Sequence, residues 1–176
     1  MSSAPNLINE GKYANIKGSD FRVMSLVGIA HFFSHVYIYL LPPLFPFLKS
    51  ALNFSYTELG LLMAVFSGTT GLTQIPLGFL VDRFGAKFVL IAGLAVEGVA
   101  FTCMGFAPGY PFLVALMFLA GAANGVYHPA DYAILSASVS KTRMGRAFSL
   151  HTFGGYAGFA VAGPVIIFLN STIGWS

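Results

Sequence analysis

The sequence predicts an all-α integral membrane protein with five transmembrane helices, and three observations carry that expectation. Of 176 residues, 56% are hydrophobic and only 9% are charged, against roughly a quarter charged in an ordinary soluble domain. Five apolar stretches follow one another with short polar joints, each long enough for the roughly 20 residues that a hydrocarbon core of about 30 Å demands. The basic residues are sorted by side. Lys12, Lys17, Arg22, Arg83, Lys87, Lys141, Arg143 and Arg146 collect on one side of the spans, and only Lys49 lies on the other.

Residues 1–20 are polar, contain Pro5, Gly11 and Gly18 and show no sustained periodicity, so they are expected to form a disordered tail. The first span is expected over residues 23–48. Its apolar run is too long for a cleavable signal peptide and has no convincing small-residue cleavage site. The second span is expected over 56–80, the third over 88–106, the fourth over 111–137 and the fifth over 147–169, making residues 21–176 one transmembrane bundle. Ala107-Pro108-Gly109-Tyr110 is a short turn that joins antiparallel neighbours, so the third and fourth spans form a helical hairpin.

The positive-inside rule places the amino terminus, the second-to-third loop and the fourth-to-fifth loop in the cytoplasm, and five crossings leave the carboxyl end outside. The net charge of +3 does not point to nucleic acid, because the basic residues sit at span ends and form no patch with interleaved aromatics. Cys103, the single cysteine, lies in an apolar stretch and cannot close an intrachain disulfide. The chain stops soon after the fifth span, which reads as a bundle truncated before a sixth helix.

The second-to-third loop reads Gly78-Phe79-Leu80-Val81-Asp82-Arg83-Phe84-Gly85-Ala86-Lys87. Gly78 is expected to let helices approach, Gly85 to permit a tight turn, and Asp82 to sit at the amino end of the third helix, where the dipole favours an acid. An ordinary loop with positive-inside charges is the plainer alternative. The loop resembles the G-x-L-x-D-R-x-G-R-K signature of the major facilitator superfamily, matching at Gly78, Leu80, Asp82, Arg83, Gly85 and Lys87, with Ala86 in place of the first terminal base. That resemblance implies that the loop is a conformational latch, and that the chain is five helices of an incomplete six-helix bundle of that type.

Gly154, Gly155, Gly158 and Gly163-Pro164 in the fifth span are similar to the glycine-rich motif of the family, although the spacing and the residues after Pro164 depart from it. The simpler reading is close helix packing through Gly154, Gly158, Gly163 and Pro164. Asn124 to Ala130, followed by Arg143-Met144-Gly145-Arg146, resembles the family's fourth span. Met117, Phe118 and Gly121 occupy the positions where an arginine is usual. The texts from His31 to Phe47 and from Tyr127 to Ser136 are similar to fosmidomycin-resistance-like exporters, which implies a bacterial inner membrane.

Ionisable residues inside a span are costly, by about 2.5–3.5 kcal/mol for a central Asp, Lys or Arg on insertion scales, so each is a functional candidate. His31 and His35 share a face of the first span, and Asn124, His128 and Asp131 are read as one face of the fourth. The resemblance implies that these helices line a central cavity. His31, His35, Asn124 and His128 are therefore candidates for substrate or proton contact, with Tyr37, Tyr39 and Tyr127 nearby; hydrogen-bonded ties between helices are the alternative. Asp131 is the candidate inner-side ion-pair partner of Arg83. Glu97, in the middle of the third span, is expected to be protonated, paired or turned inward, and is a candidate for proton coupling. Gln74 and Pro76 read as a hydrogen bond and a kink in the second span.

The function implied is a secondary active transporter in which two bundles rock about a midplane site. No phosphate-binding loop supports direct ATP coupling, and protons or solute gradients are the expected energy source. No nucleophile elbow or metal-ligand spacing stands out, so neither an enzyme, a metal nor a cofactor is expected. The expected partners are the lipid bilayer, a small-molecule substrate and the remaining helices of the full-length protein. The alternatives are a noncatalytic membrane fragment or scaffold, and a redox subunit with His31, His35, His128 and His151 as axial haem ligands.

Overall fold

In lipid each backbone N–H and C=O must find its partner inside the protein, which leaves helices as the economical way to cross with apolar sequence of this kind. The computed structural model describes the backbone of residues 7–174 and the side chains of residues 18–174. Among the described residues there are α-helices and 3-10 turns but no strand. The helices are α1 (Leu7–Ile38), α2 (Phe45–Leu52), α3 (Tyr56–Phe84), α4 (Ala86–Met104), α5 (Tyr110–Asn124), α6 (Tyr127–Ser138) and α7 (Met144–Ile173). They group into five stretches long and apolar enough to cross a bilayer: Gly18–Leu52, Tyr56–Phe84, Ala86–Met104, Tyr110–Ser138 and Lys141–Ile173.

Two of the five crossings are interrupted, and prolines explain both. Pro42 and Pro43 have no N–H to donate back along α1, and the ring of Pro42 would meet the carbonyl of Ile38. The helix ends there, turns through a 3-10 segment at Pro42–Leu44 and resumes as α2, which stops at Asn53 with a left-handed φ of 60°. In the fourth crossing Pro129 likewise cannot bond to Gly125, and the chain turns at Gly125 and Val126 between α5 and α6. By contrast, α3 and α7 continue through Pro76 and Pro164.

The joints are chemically specified. Ser55 caps α3 in a reciprocal capping box, its Oγ accepting from the Glu58 N–H at 3.2 Å while Glu58 Oε2 accepts from the Ser55 N–H at 2.8 Å. Tyr110 donates its hydroxyl proton to the Glu58 carbonyl at 2.9 Å, fastening the start of α5 to α3. Gly85 alone joins α3 to α4, at φ +87°, a conformation that favours glycine. Asp82 therefore lies in the last turn of α3 and not at the amino end of the third span, because α3 runs unbroken to Phe84.

The expectation for residues 1–20 is corrected in part. Residues 1–6 lie outside the described residues, whereas the backbone is helical from Leu7. Asp20 is buried; its Oδ2 accepts from the Ser140 N–H at 3.2 Å, the Ser140 hydroxyl at 2.8 Å and Arg143 Nη1 at 2.9 Å. This carboxylate ties α1 to the segment leading into α7.

Helix α1 packs chiefly on α7, α3 on α5, and α4 on α5 and α6. One apolar cluster unites Leu44 and Leu48 with Leu59, Phe66, Met104 and Met117, and a second unites Val81 and Leu90 with Val126 and Ala130. Leu72, Ile75, Phe79 and Phe153 are among the large apolar side chains left outward, as suits a surface solvated by lipid tails.

The α1–α7 contact is made backbone to backbone. A Cβ on Gly154 would lie 2.6 Å from the Gly28 carbonyl oxygen, and one on Gly158 would lie 2.4 Å from that of Phe32. Small residues four apart let two helices touch in this way. Gly163 and Gly78 are looser, since an added Cβ would make ordinary contacts at 3.8 Å with Tyr39 and 4.0 Å with Pro129, respectively. Gly158→Ala is expected to lower stability by about 1–3 kcal/mol through overpacking. Gly68→Ala, where a Cβ meets nothing within 4 Å, is expected to leave it unchanged or slightly raised. Denaturation of the two variants in detergent micelles, followed by circular dichroism, checks the contrast; equal stabilities would contradict the tight contact.

Candidate functional site

The α1–α7 contact and the break before α6 bring four histidines and one aspartate together. His31 and His35 are one turn apart on α1, His128 and Asp131 nearly so on α6, and His151 projects from α7. Asp131 is fully buried; His31 and His151 are 4% and 3% exposed. His151 Nε2 donates to Asp131 Oδ2 at 2.9 Å, and His31 Nδ1 lies 3.5 Å from the same oxygen. The rings of His31 and His151 stack with centroids 3.6 Å apart. His31 lies 4.5 Å from His35 and 5.3 Å from His128, centroid to centroid. Gly155 makes room for the pair on α1, since a Cβ there would come within 2.9 Å of both His31 and His35.

The cluster is incompletely bonded. Asp131 Oδ1 and the Nδ1 atoms of His31, His35 and His128 are buried without a hydrogen-bond partner. Each such group costs about 1–3 kcal/mol against a satisfied one. A buried carboxylate flanked by imidazoles can hold protons in several arrangements, because imidazole changes charge near neutral pH and either ring nitrogen can carry the proton. Proton transfer and cation or anion binding are the chemistries that this arrangement allows.

A second buried cluster lies on the other side of the break. Glu97 of α4 is fully buried. Its Oε1 accepts from Asn124 Nδ2 and its Oε2 from the Tyr127 hydroxyl, each at 2.9 Å. Of the alternatives for Glu97, the structure shows a carboxyl turned inward and paired.

Several expectations change. Asn124 and His128, expected on one face, meet different neighbours on either side of the turn at Gly125 and Val126. Asn124 and Tyr127 bond Glu97, while His128 joins the other histidines. Asp131 is paired with His151 and not with Arg83, which is exposed and lies against the Phe84 ring. Asp82, Gly85 and Lys87 are also exposed, and Leu80 is 42% exposed. Tyr37 stacks on Phe101 and Tyr39 meets Phe159 edge-on. His31 stands against each of the other three imidazoles and His128 against His151, which leaves no slot for a macrocycle within these pairs, so the haem arrangement does not fit.

His151 is the member that the sequence reading considered only as a haem ligand. Its signal was present, because His151, Gly154, Gly155 and Gly158 fall on one helical face and the glycines mark the face that approaches another helix.

A helical bundle with outward apolar side chains and ionisable groups held in its interior defines a multi-pass membrane protein. The family model described as Major Facilitator Superfamily matches residues 27–176, and the chain belongs to that family, one of transporters and not of enzymes. It is 24% identical to an uncharacterized MFS-type transporter, YfnC, of Bacillus subtilis, over 83% of this chain and 35% of the relative. It is 29% identical to the probable sulfoacetate transporter SauU of Cupriavidus necator, over 74% of this chain and 30% of the relative. It is 20% identical to the fosmidomycin resistance protein of Escherichia coli, over 94% of this chain and 41% of the relative. The chain thus spans well under half the length of these curated relatives.

The Glu97 cluster is expected to behave as one unit. Glu97→Ala and Asn124→Ala should each destabilise by about 1–3 kcal/mol, because each leaves a buried polar partner unbonded. The double variant should fall short of the sum of the two by about 0.5–3 kcal/mol. Detergent unfolding of the four proteins measures that coupling, and strict additivity would mean that the observed bond contributes nothing.

Proposed function

We propose that this chain supplies most of the first helical bundle of a secondary active transporter that moves a small solute by alternating access and is coupled to protons. The observation that carries the reading is Asp131, a fully buried carboxyl shared between His151 at 2.9 Å and His31 at 3.5 Å. Ionisable groups this deep in a membrane helix are expensive and are found where ions or protons pass. The remaining helices of the whole protein complete the path. The skew of Lys and Arg supports a cytoplasmic amino terminus, and the bacterial relatives support an inner-membrane location.

In this reading His31, His35, His128 and His151 with Asp131 form the proton and substrate-facing group, and Glu97 with Asn124 and Tyr127 holds α4 to the fourth crossing. The loop residues Gly78, Leu80, Asp82, Arg83, Gly85 and Lys87 form the latch. Because Asp131 is paired elsewhere, exposed Arg83 and Lys87 meet their partner among the remaining helices. Organic anions head the list of substrates to test, since protonated imidazoles attract negative charge and one relative is named for sulfoacetate.

In vesicles holding the complete protein under an imposed proton gradient, Asp131→Asn is expected to reduce uphill accumulation of the transported solute at least tenfold. His35→Ala and His128→Ala are expected to reduce it less. Accumulation at the wild-type level in all three, with each protein present at normal abundance, would overturn the assignment of this cluster to coupling.

A further inference from the structure

We infer that His31, His128 and His151 form a binding site for one divalent transition-metal ion of the zinc type, with Asp131 as the positioning residue behind His151. The inference goes beyond the proposed transport reading and does not rest on it. Each of the three histidines offers one nitrogen, and these three atoms lie within 4.8 Å of one another. Three imidazoles on a tetrahedral zinc at about 2.0–2.1 Å stand roughly 3.3–3.4 Å apart. Reaching that spacing asks the His31 and His151 rings, now stacked with centroids 3.6 Å apart, to turn about their side-chain torsions until one nitrogen of each points at the ion.

The surroundings point the same way. With Asp131 ionised, its Oδ2 accepts from His151 Nε2 at 2.9 Å, and a neutral His151 then keeps its lone pair on Nδ1. A carboxylate behind the ligand is how metal-binding histidines are commonly oriented and made more basic. If the three histidines were only hydrogen-bonded ties, His128 Nδ1 would have a partner and His31 Nδ1 a shorter one; His128 Nδ1 is buried without any, and His31 Nδ1 comes no nearer to Asp131 than 3.5 Å. Three neutral nitrogens select zinc, cobalt, nickel or copper over magnesium and calcium, which prefer oxygen. Three protein ligands also leave a fourth position open, as in exchangeable sites. Because the ligands come from α1, α6 and α7, a bound ion would pin three helices together, so binding has a stability readout apart from any transport.

The test uses the complete protein without an affinity tag, purified in detergent and stripped of metal. Cobalt(II) titration is expected to give one ion per chain with the intense visible bands of a tetrahedral site. Zinc should displace the cobalt and raise the thermal unfolding midpoint. X-ray absorption of the zinc form should show three imidazole ligands. His151→Ala and His128→Ala are expected to weaken zinc binding at least 100-fold and Asp131→Asn 10- to 100-fold, whereas His35→Ala should change it less than threefold. Should a variant fail to fold, the ligand count from the wild-type absorption spectrum decides the matter alone. No stoichiometric binding, zinc held by fewer than two imidazoles, or wild-type zinc affinity in folded His128→Ala or His151→Ala protein would each overturn the site. Metal binding that survives while the Asp131→Asn transport test fails would separate this inference from the functional one.

Discussion

The direct contact of the α1 and α7 backbones governs most of what is functional in this chain. Side chains at positions 154 and 158 would force the helices apart, because Cβ atoms there would come within 2.6 Å of backbone oxygens of Gly28 and Phe32. With glycine at both, the helices close until His151 stacks on His31 at 3.6 Å. Gly155 then gives the rings of His31 and His35 their space. Close packing here is a precondition for the buried polar chemistry, since imidazoles held further apart could neither share a carboxylate nor exclude lipid from it.

A second constraint is the missing N–H of Pro129. A continuous fourth crossing would set Asn124, His128 and Asp131 on one stripe and offer them all to one neighbour. The interruption at Gly125 and Val126 turns the end of α5 and the start of α6 toward α4, while His128 and Asp131 face α1 and α7. One crossing therefore serves two separate polar clusters, with Asn124 and Tyr127 on Glu97 and His128 and Asp131 among the histidines.

The two buried carboxyl groups show how partners set a role. Both oxygens of Glu97 accept from groups that do not titrate near neutral pH, an amide and a phenol. That arrangement has one preferred state and suits an interhelical tie. Asp131 has imidazoles for neighbours and one oxygen without a partner, and imidazole can carry its proton on either ring nitrogen. The same residue class at similar burial thus meets non-titrating partners in one place and imidazoles in the other.

Much of this chain is legible without coordinates. Apolar length and the sorting of Lys and Arg define five crossings, and six residues between Gly78 and Lys87 carry the family resemblance. Most of the unusual polar residues within the spans also stand out from the sequence against an apolar background, although Asp20 reads as part of a tail and His151 only as a haem ligand. Helical period further assigns faces, and it puts His31 beside His35, but a shared face does not fix a shared neighbour, since Asn124 bonds Glu97 while His128 meets His31. The expected Arg83–Asp131 pair rested on estimated depth, and depth does not say which side of a helix a carboxylate occupies. Which face meets which was decided by tertiary structure alone. In an apolar solvent almost any two greasy helix faces can meet, and only backbone approach at glycine and the proline break select the arrangement in which Asp131 finds His151.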